Sequence, residues 1–290
     1  MDKSAKLREL LEREGVIRLV GAHNALGAML IEKAGFEGVW ASGLEISASY
    51  AVPDANIVSM SQYLDAARQM NEAVSIPIIS DCDTGYGNAN NVIYMVKMFE
   101  AAGIAGVCIE DKKFPKDNSL LEGGRQDLAS IEEFQGKIKA AKDIRESEDF
   151  VIIARLEALI AGWGQEEALK RAHAYTDAGA DVILIHSRKN TPDEVVEFIK
   201  RFNNRRPVVV VPTTYPMITI KELEELKVKM VIYANHGLRA VIKAMEDVFE
   251  EIKRAGCIST IEDKIVPVRH IFELQGTLKM KEKEGKYLPS

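Results

Sequence analysis

Val182-Ile183-Leu184-Ile185 and Val208-Val209-Val210-Val211 are two short, continuously apolar runs. Between them, residues 191–202 carry apolar side chains at helical spacing. Runs that are apolar at every position are typical of strands covered on both faces, as in parallel sheets. The segment therefore predicts a strand–helix–strand unit with parallel strands.

The same alternation extends in both directions along the chain. Strands are predicted over residues 17–22, 38–41, 76–79, 107–110, 150–156, 182–186, 207–211 and 230–234. Helices are predicted over residues 4–14, 26–34, 60–72, 91–102, 130–146, 165–178, 191–202, 220–226, 238–255 and 268–282. Eight strands, each followed by a helix, predict an α/β fold, a (β/α)8 TIM-type barrel forming one domain over residues 1–290. An open doubly wound sheet would more often carry a glycine-rich turn after its first strand, where this chain has Ala22-His23-Asn24.

Composition limits the class of protein. The chain has 290 residues, a formal charge of −6 and 47% hydrophobic residues, which is typical of a soluble globular protein. We expect no membrane partner, because no apolar run approaches the roughly 18 residues of a membrane span. We expect no nucleic-acid partner, because there is no basic stripe with interleaved aromatic residues. Widely spaced Cys82, Cys108 and Cys257 favour reduced thiols and a cytoplasmic location.

Residues 111–128, which follow the fourth predicted strand, change abruptly to a polar composition. Pro115 and the pair Gly123-Gly124 oppose a continuous helix, so the segment predicts a long loop. Loops of this length are usually functional or disordered. Residues 111–128 are compatible with a lid over an active site and with a solvated surface loop, and the rest of the chain favours the lid.

Carboxylates are concentrated where the third and fourth strands end. Asp81, Asp83 and Glu110 are expected to converge there, with Asp54 joining from the second strand's loop. Carboxylates this close repel one another unless a cation lies among them. A set with oxygen ligands alone favours Mg²⁺ or Mn²⁺. Helix capping and pairing with neighbouring cations is the structural alternative.

Cations and hydrogen-bond donors are expected to face these carboxylates. Arg155, His186, Lys116 and Arg188 suit a small anion that carries both a phosphoryl group and a carboxylate. The stretch Ser42-Gly43-Leu44 offers backbone N–H groups at a strand end, which could bind a carboxylate.

Two motifs resemble the phosphoenolpyruvate mutase / isocitrate lyase superfamily. They are Asp81-x-Asp83-Thr-Gly-Tyr-Gly-Asn88 and Glu110-Asp-Lys-x-Phe-Pro-Lys116-x-Asn118-Ser119. The similarity covers essentially the whole chain, including Trp40-Ala-Ser-Gly-Leu44. The superfamily's lyases carry a lid cysteine in a Lys-Lys-Cys-Gly-His motif, which this lid lacks. A carbon–carbon lyase of 2-hydroxy diacids is therefore the less favoured function. A barrel that binds a phosphorylated metabolite without turnover is also less favoured, because the lid lysine and the carboxylates are all present.

Within the superfamily, the chain resembles both phosphoenolpyruvate mutases and phosphonopyruvate hydrolases. Asn118 resembles the mutases at this lid position, because the hydrolases carry threonine in place of this asparagine. The stretch 47–56, together with Arg188, is more similar to the hydrolases. We weight Asn118 more heavily, because it would touch the migrating group, and predict a mutase with hydrolase as the alternative.

The resemblance implies roles for individual residues. Mg²⁺ would be bound at Asp81, with Asp83, Glu110 and Asp54 reaching it directly or through water, and would stabilise a pyruvate enolate. Asp54, Lys116, Asn118, Arg155 and His186 would be catalytic. The resemblance also implies a homotetramer in which the last helix packs on a neighbouring subunit. The residues expected to bind substrate are Trp40, Ser42, Gly43, Leu44, Ser119 and Arg188.

Overall fold

The computed structural model describes residues 2–288 and divides into two compact units between Gly237 and Leu238. The prediction of a single domain over residues 1–290 is not tested by this division and stays a prediction. Of the helices described, none is both long and apolar enough to cross a membrane.

The first unit is a closed barrel of eight parallel strands in sequential order, which confirms the predicted (β/α)8 architecture. Each strand pairs with its neighbours in the chain, and β1 closes the ring on β8 with Ile17 opposite Met230. The strands are β1 (Ile17–Ala22), β2 (Gly38–Ala41), β3 (Ile78–Asp81), β4 (Gly106–Glu110), β5 (Val151–Leu156), β6 (Val182–Ile185), β7 (Val208–Val210) and β8 (Met230–Tyr233).

Helices surround the barrel. Several begin at a side-chain cap, such as Ser59, which accepts from the Gln62 N–H, and Ser130, which accepts from the Glu133 N–H. The helices of the first unit are α1 (Lys3–Glu12), α2 (Ala25–Lys33), α3 (Gly43–Ser49), α4 (Met60–Ala73), α5 (Ala89–Ala101), α6 (Ile131–Ile144), α7 (Gly164–Asp177), α8 (Asp193–Phe202) and α9 (Ile220–Glu225).

The core has two layers because both faces of every strand are buried. One layer fills the barrel and includes Leu19, Ile79 and Val209. The other lies between strands and helices and includes Phe99 and Phe134. A filled interior leaves the carboxyl-terminal rim of the strands as the place for a site.

Three local predictions differ from the structure. The third strand lies at Ile78–Asp81 rather than at residues 76–79, which brings Asp81 into the strand. Residues 43–49, expected as loop, form α3, capped by the Ser42 side chain, which accepts from the Glu45 N–H. The predicted last helix is broken at Gly276, whose φ of +68° ends one helix and starts the next.

The second unit contains α11 (Val268–Leu274) and α12 (Thr277–Tyr287), preceded by α10 (His236–Ala255), which begins just before the division. Large apolar side chains are exposed along these helices in the single chain. Phe249 is 58% exposed and Leu278 is 71% exposed. An exposed apolar surface of this kind is typical of an interface with another protein chain.

Candidate active site

The carboxylates come together at the ends of β3 and β4, as the sequence predicts. Asp81 is the last residue of β3, and Glu110 is the last residue of β4. Asp83 follows in the loop after β3, and its carboxylate accepts from the Asn56 side-chain amide at 2.8 Å. All three carboxylates are buried.

The lid, residues 111–128, covers these carboxylates and contains no helix or strand apart from a bridge between Lys112 and Leu128. Lys116 inserts its ammonium group between two carboxylates, 2.8 Å from Asp54 Oδ1 and 3.0 Å from Asp83 Oδ1. The Asn118 amide donates to Asp54 Oδ2 at 2.6 Å. The lid is therefore closed in this structure and held by polar contacts to the barrel.

Burial and mutual repulsion perturb the carboxylates in different directions. Burial raises the pKa of Asp83 to about 7, with neighbouring Asp54 and Asp81 adding to the effect. The pKa of Asp81 is also raised, mainly by burial. Burial opposes ionisation of Asp54, but Lys116, Asn118 and Arg155 together outweigh it and lower the pKa of Asp54. Negative charge at the ends of β3 and β4 is thus only partly neutralised by the protein itself.

The chemistry of this group fits a hard divalent cation, although the carboxylates are not arranged as a finished metal centre. Among residues 2–288, no three His, Cys, Asp or Glu side chains are placed to hold a metal ion, and the Lys116 ammonium lies between Asp54 and Asp83. Every candidate ligand is an oxygen, and Glu110 Oε1 has no hydrogen-bond partner within that range. Oxygen ligands with uncompensated charge favour Mg²⁺ or Mn²⁺ over zinc.

Arg155 and His186 lie beside the carboxylates on β5 and just after β6. Arg155 Nε is 3.3 Å from Glu110 Oε2, and Arg155 Nη2 is 2.9 Å from His186 Nδ1. Burial, together with the Arg155 charge, lowers the pKa of His186 and favours a neutral imidazole. The pair offers a guanidinium and an imidazole to an anion in the cavity.

A small cavity of about 50 Å³ lies between the strand ends and the lid. Its lining combines polar side chains with apolar ones such as Val211 and Ile232. Of the residues predicted to bind substrate or take part in catalysis, the cavity lining includes Trp40, Ser42, Leu44, Asp54, Lys116, Asn118, Ser119, Arg155 and His186.

Two predicted substrate contacts are placed differently. Arg188 is exposed and lines a separate surface depression with Lys189 and Gly123 on the outer side of the lid. The Gly43 N–H points at Asp81 Oδ2, 3.4 Å away, rather than into open space. A Cβ at position 43 would come within 3.1 Å of that oxygen, so a larger residue there would require the Asp81 carboxylate to shift.

The structure also adds residues that the sequence analysis did not place in the site. Glu157 is fully buried and contacts both Arg155 and His186. Thr213 and Asn235 line the cavity, and within the described chain their Oγ1 and Oδ1 atoms have no hydrogen-bond partner. Their positions at strand ends are visible in the sequence, but their direction is not.

The two ends of the lid are fixed to the barrel by Asp111. Its carboxylate accepts from Arg171 at 2.9 Å and from the Tyr175 hydroxyl at 2.8 Å, while its other oxygen accepts from the Glu157 N–H. The Asp111 carbonyl accepts from the Ala129 N–H at the far end of the loop. Both ends of the lid are therefore held to the barrel by hydrogen bonds of one residue.

Comparison with known proteins gives consistent similarities. A family model described as phosphoenolpyruvate phosphomutase matches residues 7–253. Phosphonopyruvate hydrolase from Variovorax sp. (strain Pal2) is 52% identical over 99% of this chain and 100% of its own length. A crystal structure of phosphoenolpyruvate phosphomutase from Streptomyces platensis subsp. rosaceus is 53% identical, with a TM-score of 0.97 and 99% of each chain covered. A phosphonopyruvate hydrolase crystallised with oxalate and Mg²⁺ is 50% identical, with a TM-score of 0.95 and 100% of each chain covered.

Proposed function

The chain belongs to the phosphoenolpyruvate phosphomutase family, and we propose that it is an enzyme that interconverts phosphoenolpyruvate and phosphonopyruvate. The observation that carries this proposal is the position of Asn118. It lines the cavity on the inner side of the closed lid, with its amide 2.6 Å from Asp54. There it is placed to touch a phosphoryl group and to help keep water away from it.

In the proposed reaction, the C–P bond of phosphonopyruvate breaks and its electron pair passes to the pyruvate fragment as an enolate. Arg155 and His186 hold the phosphoryl group, which has loose, metaphosphate-like character, while Asn118 borders it from the lid. The enolate oxygen then attacks phosphorus and forms the O–P bond of phosphoenolpyruvate. No proton is transferred, so the residues only need to position the fragments and balance charge.

The carboxylate end of the substrate is proposed to face Asp81, Asp83 and Glu110. Mg²⁺ bound there would supply positive charge to the substrate's carboxylate and enolate oxygens. Support comes from the all-oxygen donor set and from the similar hydrolase crystallised with oxalate and Mg²⁺. Lys116 contributes a second positive charge from the lid, and Trp40, Ser42 and Leu44 border this part of the cavity.

Phosphonopyruvate hydrolysis is the second candidate function, because a relative with that name is 52% identical over its whole length. In that case a water would attack the phosphoryl group to give phosphate, and a proton released by that water would pass to the enolate carbon to give pyruvate. The two functions share every step up to C–P cleavage. They differ only in whether the closed cavity admits water.

We also propose a homotetramer in the cytoplasm. The exposed apolar side chains of α10, α11 and α12 support an interface between copies of the chain. The free thiols of Cys82, Cys108 and Cys257 support a reducing compartment.

Phosphorus NMR of the purified protein with phosphonopyruvate and Mg²⁺ tests the proposal. A growing phosphoenolpyruvate signal with little free phosphate supports the mutase, and adding a chelator should stop it. Free phosphate alone would establish the hydrolase and overturn the mutase assignment. No change in either signal would exclude both and direct attention to carbon–carbon cleavage of 2-hydroxy diacids.

A further inference from the structure

Glu157 connects the barrel to the lid through its two carboxylate oxygens. Oε1 faces the barrel: it accepts from Arg155 Nε and lies 3.1 Å from His186 Nδ1. Oε2 faces the lid: it accepts from the Ser119 hydroxyl at 2.6 Å and lies 3.5 Å from Lys112 Nζ. One buried carboxylate is therefore shared between rigid strand ends and the loop that covers them.

The lid contacts of Glu157 are linked to one another. Lys112 Nζ donates to Ser119 Oγ at 2.7 Å and to the Asp117 carbonyl at 2.9 Å. Ser119 Oγ also accepts from Arg155 Nη2 at 2.9 Å. Ser119 thus contacts the anion-binding arginine directly and contacts Glu157 at the same time.

Substrate access requires these contacts to change. Lys116, Asn118, Ser119 and Leu120 form the lid side of the small cavity, so a substrate reaches Arg155 only when the lid moves. When Ser119 leaves, Glu157 loses a donor and Arg155 Nη2 loses an acceptor. The arrangement of Arg155 therefore differs between the open and the closed lid.

We propose that Glu157 is a positioning residue that couples closure of the lid to the alignment of Arg155 and His186. Closure adds Ser119 to the network and fixes the guanidinium between Glu157, Ser119 and His186. In the open state Arg155 keeps only its barrel contacts and has more freedom. The inference rests on the proposed function only in naming a phosphoryl group as the ligand of this pair.

Hydrogen–deuterium exchange of lid peptides tests this coupling without turnover. The probe is oxalate with Mg²⁺, which bind a similar protein together. In the parent enzyme we expect the probe to slow exchange across residues 112–120 on the order of tenfold, the usual size of coupling between two sites. In Glu157→Gln we expect less than about a twofold change at saturating probe, because the neutral amide cannot hold Lys112, Ser119 and Arg155 together.

A matched control is Glu37→Gln, at a carboxylate that pairs with Arg18 at 2.7 Å on the barrel's amino-terminal side. It removes an ion pair without touching the lid, so probe-induced protection should match that of the parent. Ser119→Ala removes the lid hydroxyl that contacts Glu157, Arg155 and Lys112 but leaves the Glu157 carboxylate in place, so it should weaken protection to an intermediate level. This variant carries the test if Glu157→Gln does not fold.

Steady-state kinetics provide a second measurement, which would not change if the role of Glu157 were merely structural. Glu157→Gln should lower kcat about 100-fold, the usual effect of losing one preorganised group, with a smaller change in KM. It should also raise the share of free phosphate among the products. Parent-like lid protection and an unchanged product ratio in both Glu157→Gln and Ser119→Ala would overturn the proposal. Failure of the parent to turn over phosphonopyruvate would overturn the proposed function but leave the exchange result to decide the coupling.

Discussion

The two halves of the candidate site differ in how completely their buried charges are paired within the protein. The carboxylate side, formed by Asp81, Asp83 and Glu110, contains buried acids with raised pKa values or, within residues 2–288, an oxygen without a hydrogen-bond partner. The cation side, formed by Arg155, Glu157 and His186, contains groups that contact one another closely. The cation side is therefore assembled by the protein alone, whereas the carboxylate side is where we propose that Mg²⁺ binds.

This contrast has a physical consequence for stability. Removing one partner of a buried and fully paired charge destabilises the folded protein strongly, by about 3–5 kcal/mol. A buried carboxylate that is repelled by its neighbours destabilises the folded protein. Replacing it by a neutral residue should therefore raise the free energy of unfolding. Substitutions on the two sides should therefore change the free energy of unfolding in opposite directions, whatever they do to activity.

The largest expected effect is that of Asp81→Asn. Turnover should fall by more than about 1,000-fold, because the proposed Mg²⁺ position loses its central ligand. In the presence of a chelator, however, the free energy of unfolding should rise by about 1 kcal/mol, because the cost of burying the Asp81 charge, to which repulsion from Glu110 and Asp54 adds, is removed. Activity assays with Mg²⁺ and urea unfolding with a chelator measure the two effects.

The control for Asp81→Asn is Glu157→Gln, which lies on the cation side. Its unfolding free energy should fall by about 3 kcal/mol under the same metal-free conditions. If both substitutions destabilise the metal-free protein equally, the proposed difference between the two sides is wrong.

The next effect concerns Asn118, which joins the lid to the carboxylate side. Asn118→Ala removes the donor to Asp54 and the oxygen that accepts from the Leu120 N–H at 2.9 Å. Mutase turnover should fall about 100-fold, with phosphate and pyruvate replacing part of the phosphoenolpyruvate. Phosphorus NMR measures both products. Asn118→Thr, the residue that resemblance associates with hydrolases, is the comparison variant, and parent-like mutase activity in Asn118→Ala would remove the role proposed for this residue.

A smaller effect is the pH dependence of the carboxylate side. Because the pKa of Asp83 is raised from 3.8 to about 7, the folded protein keeps a proton there that the unfolded chain has released. Metal-free stability should therefore be greatest at low pH in this window and fall as pH rises from about 4 to about 7, by up to about 1.4 kcal/mol per pH unit. Urea unfolding of the parent and of Asp83→Asn isolates this contribution as the difference between their pH profiles. Equal slopes would show that Asp83 has an ordinary pKa.

The barrel could be predicted from the sequence because its strands are apolar on both faces. Val182–Ile185 was predicted to within one residue, since a continuous apolar run has few other stable places in a soluble protein. The short helix α3 was not predicted, because Gly43–Ser49 is too short for a clear helical period. The break at Gly276 was missed because a glycine is also tolerated inside a helix.

The site was predicted in part for a different physical reason. Strand order places Asp81 and Glu110 on the same rim, so their proximity follows from topology. The contacts of Glu157 and Asn56 depend on how the lid folds back over that rim, and no local pattern encodes such a conformation. Arg188 was predicted to bind substrate but lines a separate depression, because its place after β6 does not determine which side of the lid it faces.

The smallest expected effect lies beyond the cation side, at Thr213 after β7. Its hydroxyl is buried at the cavity and has no hydrogen-bond partner within residues 2–288. Thr213→Val keeps the shape of the side chain, so stability should stay the same or rise by up to about 1 kcal/mol. A hydroxyl that binds the substrate or an ordered water would raise KM about 2–10-fold when lost, the equivalent of one neutral hydrogen bond. An unchanged KM would place Thr213 outside the substrate path and confine binding to the two sides compared above.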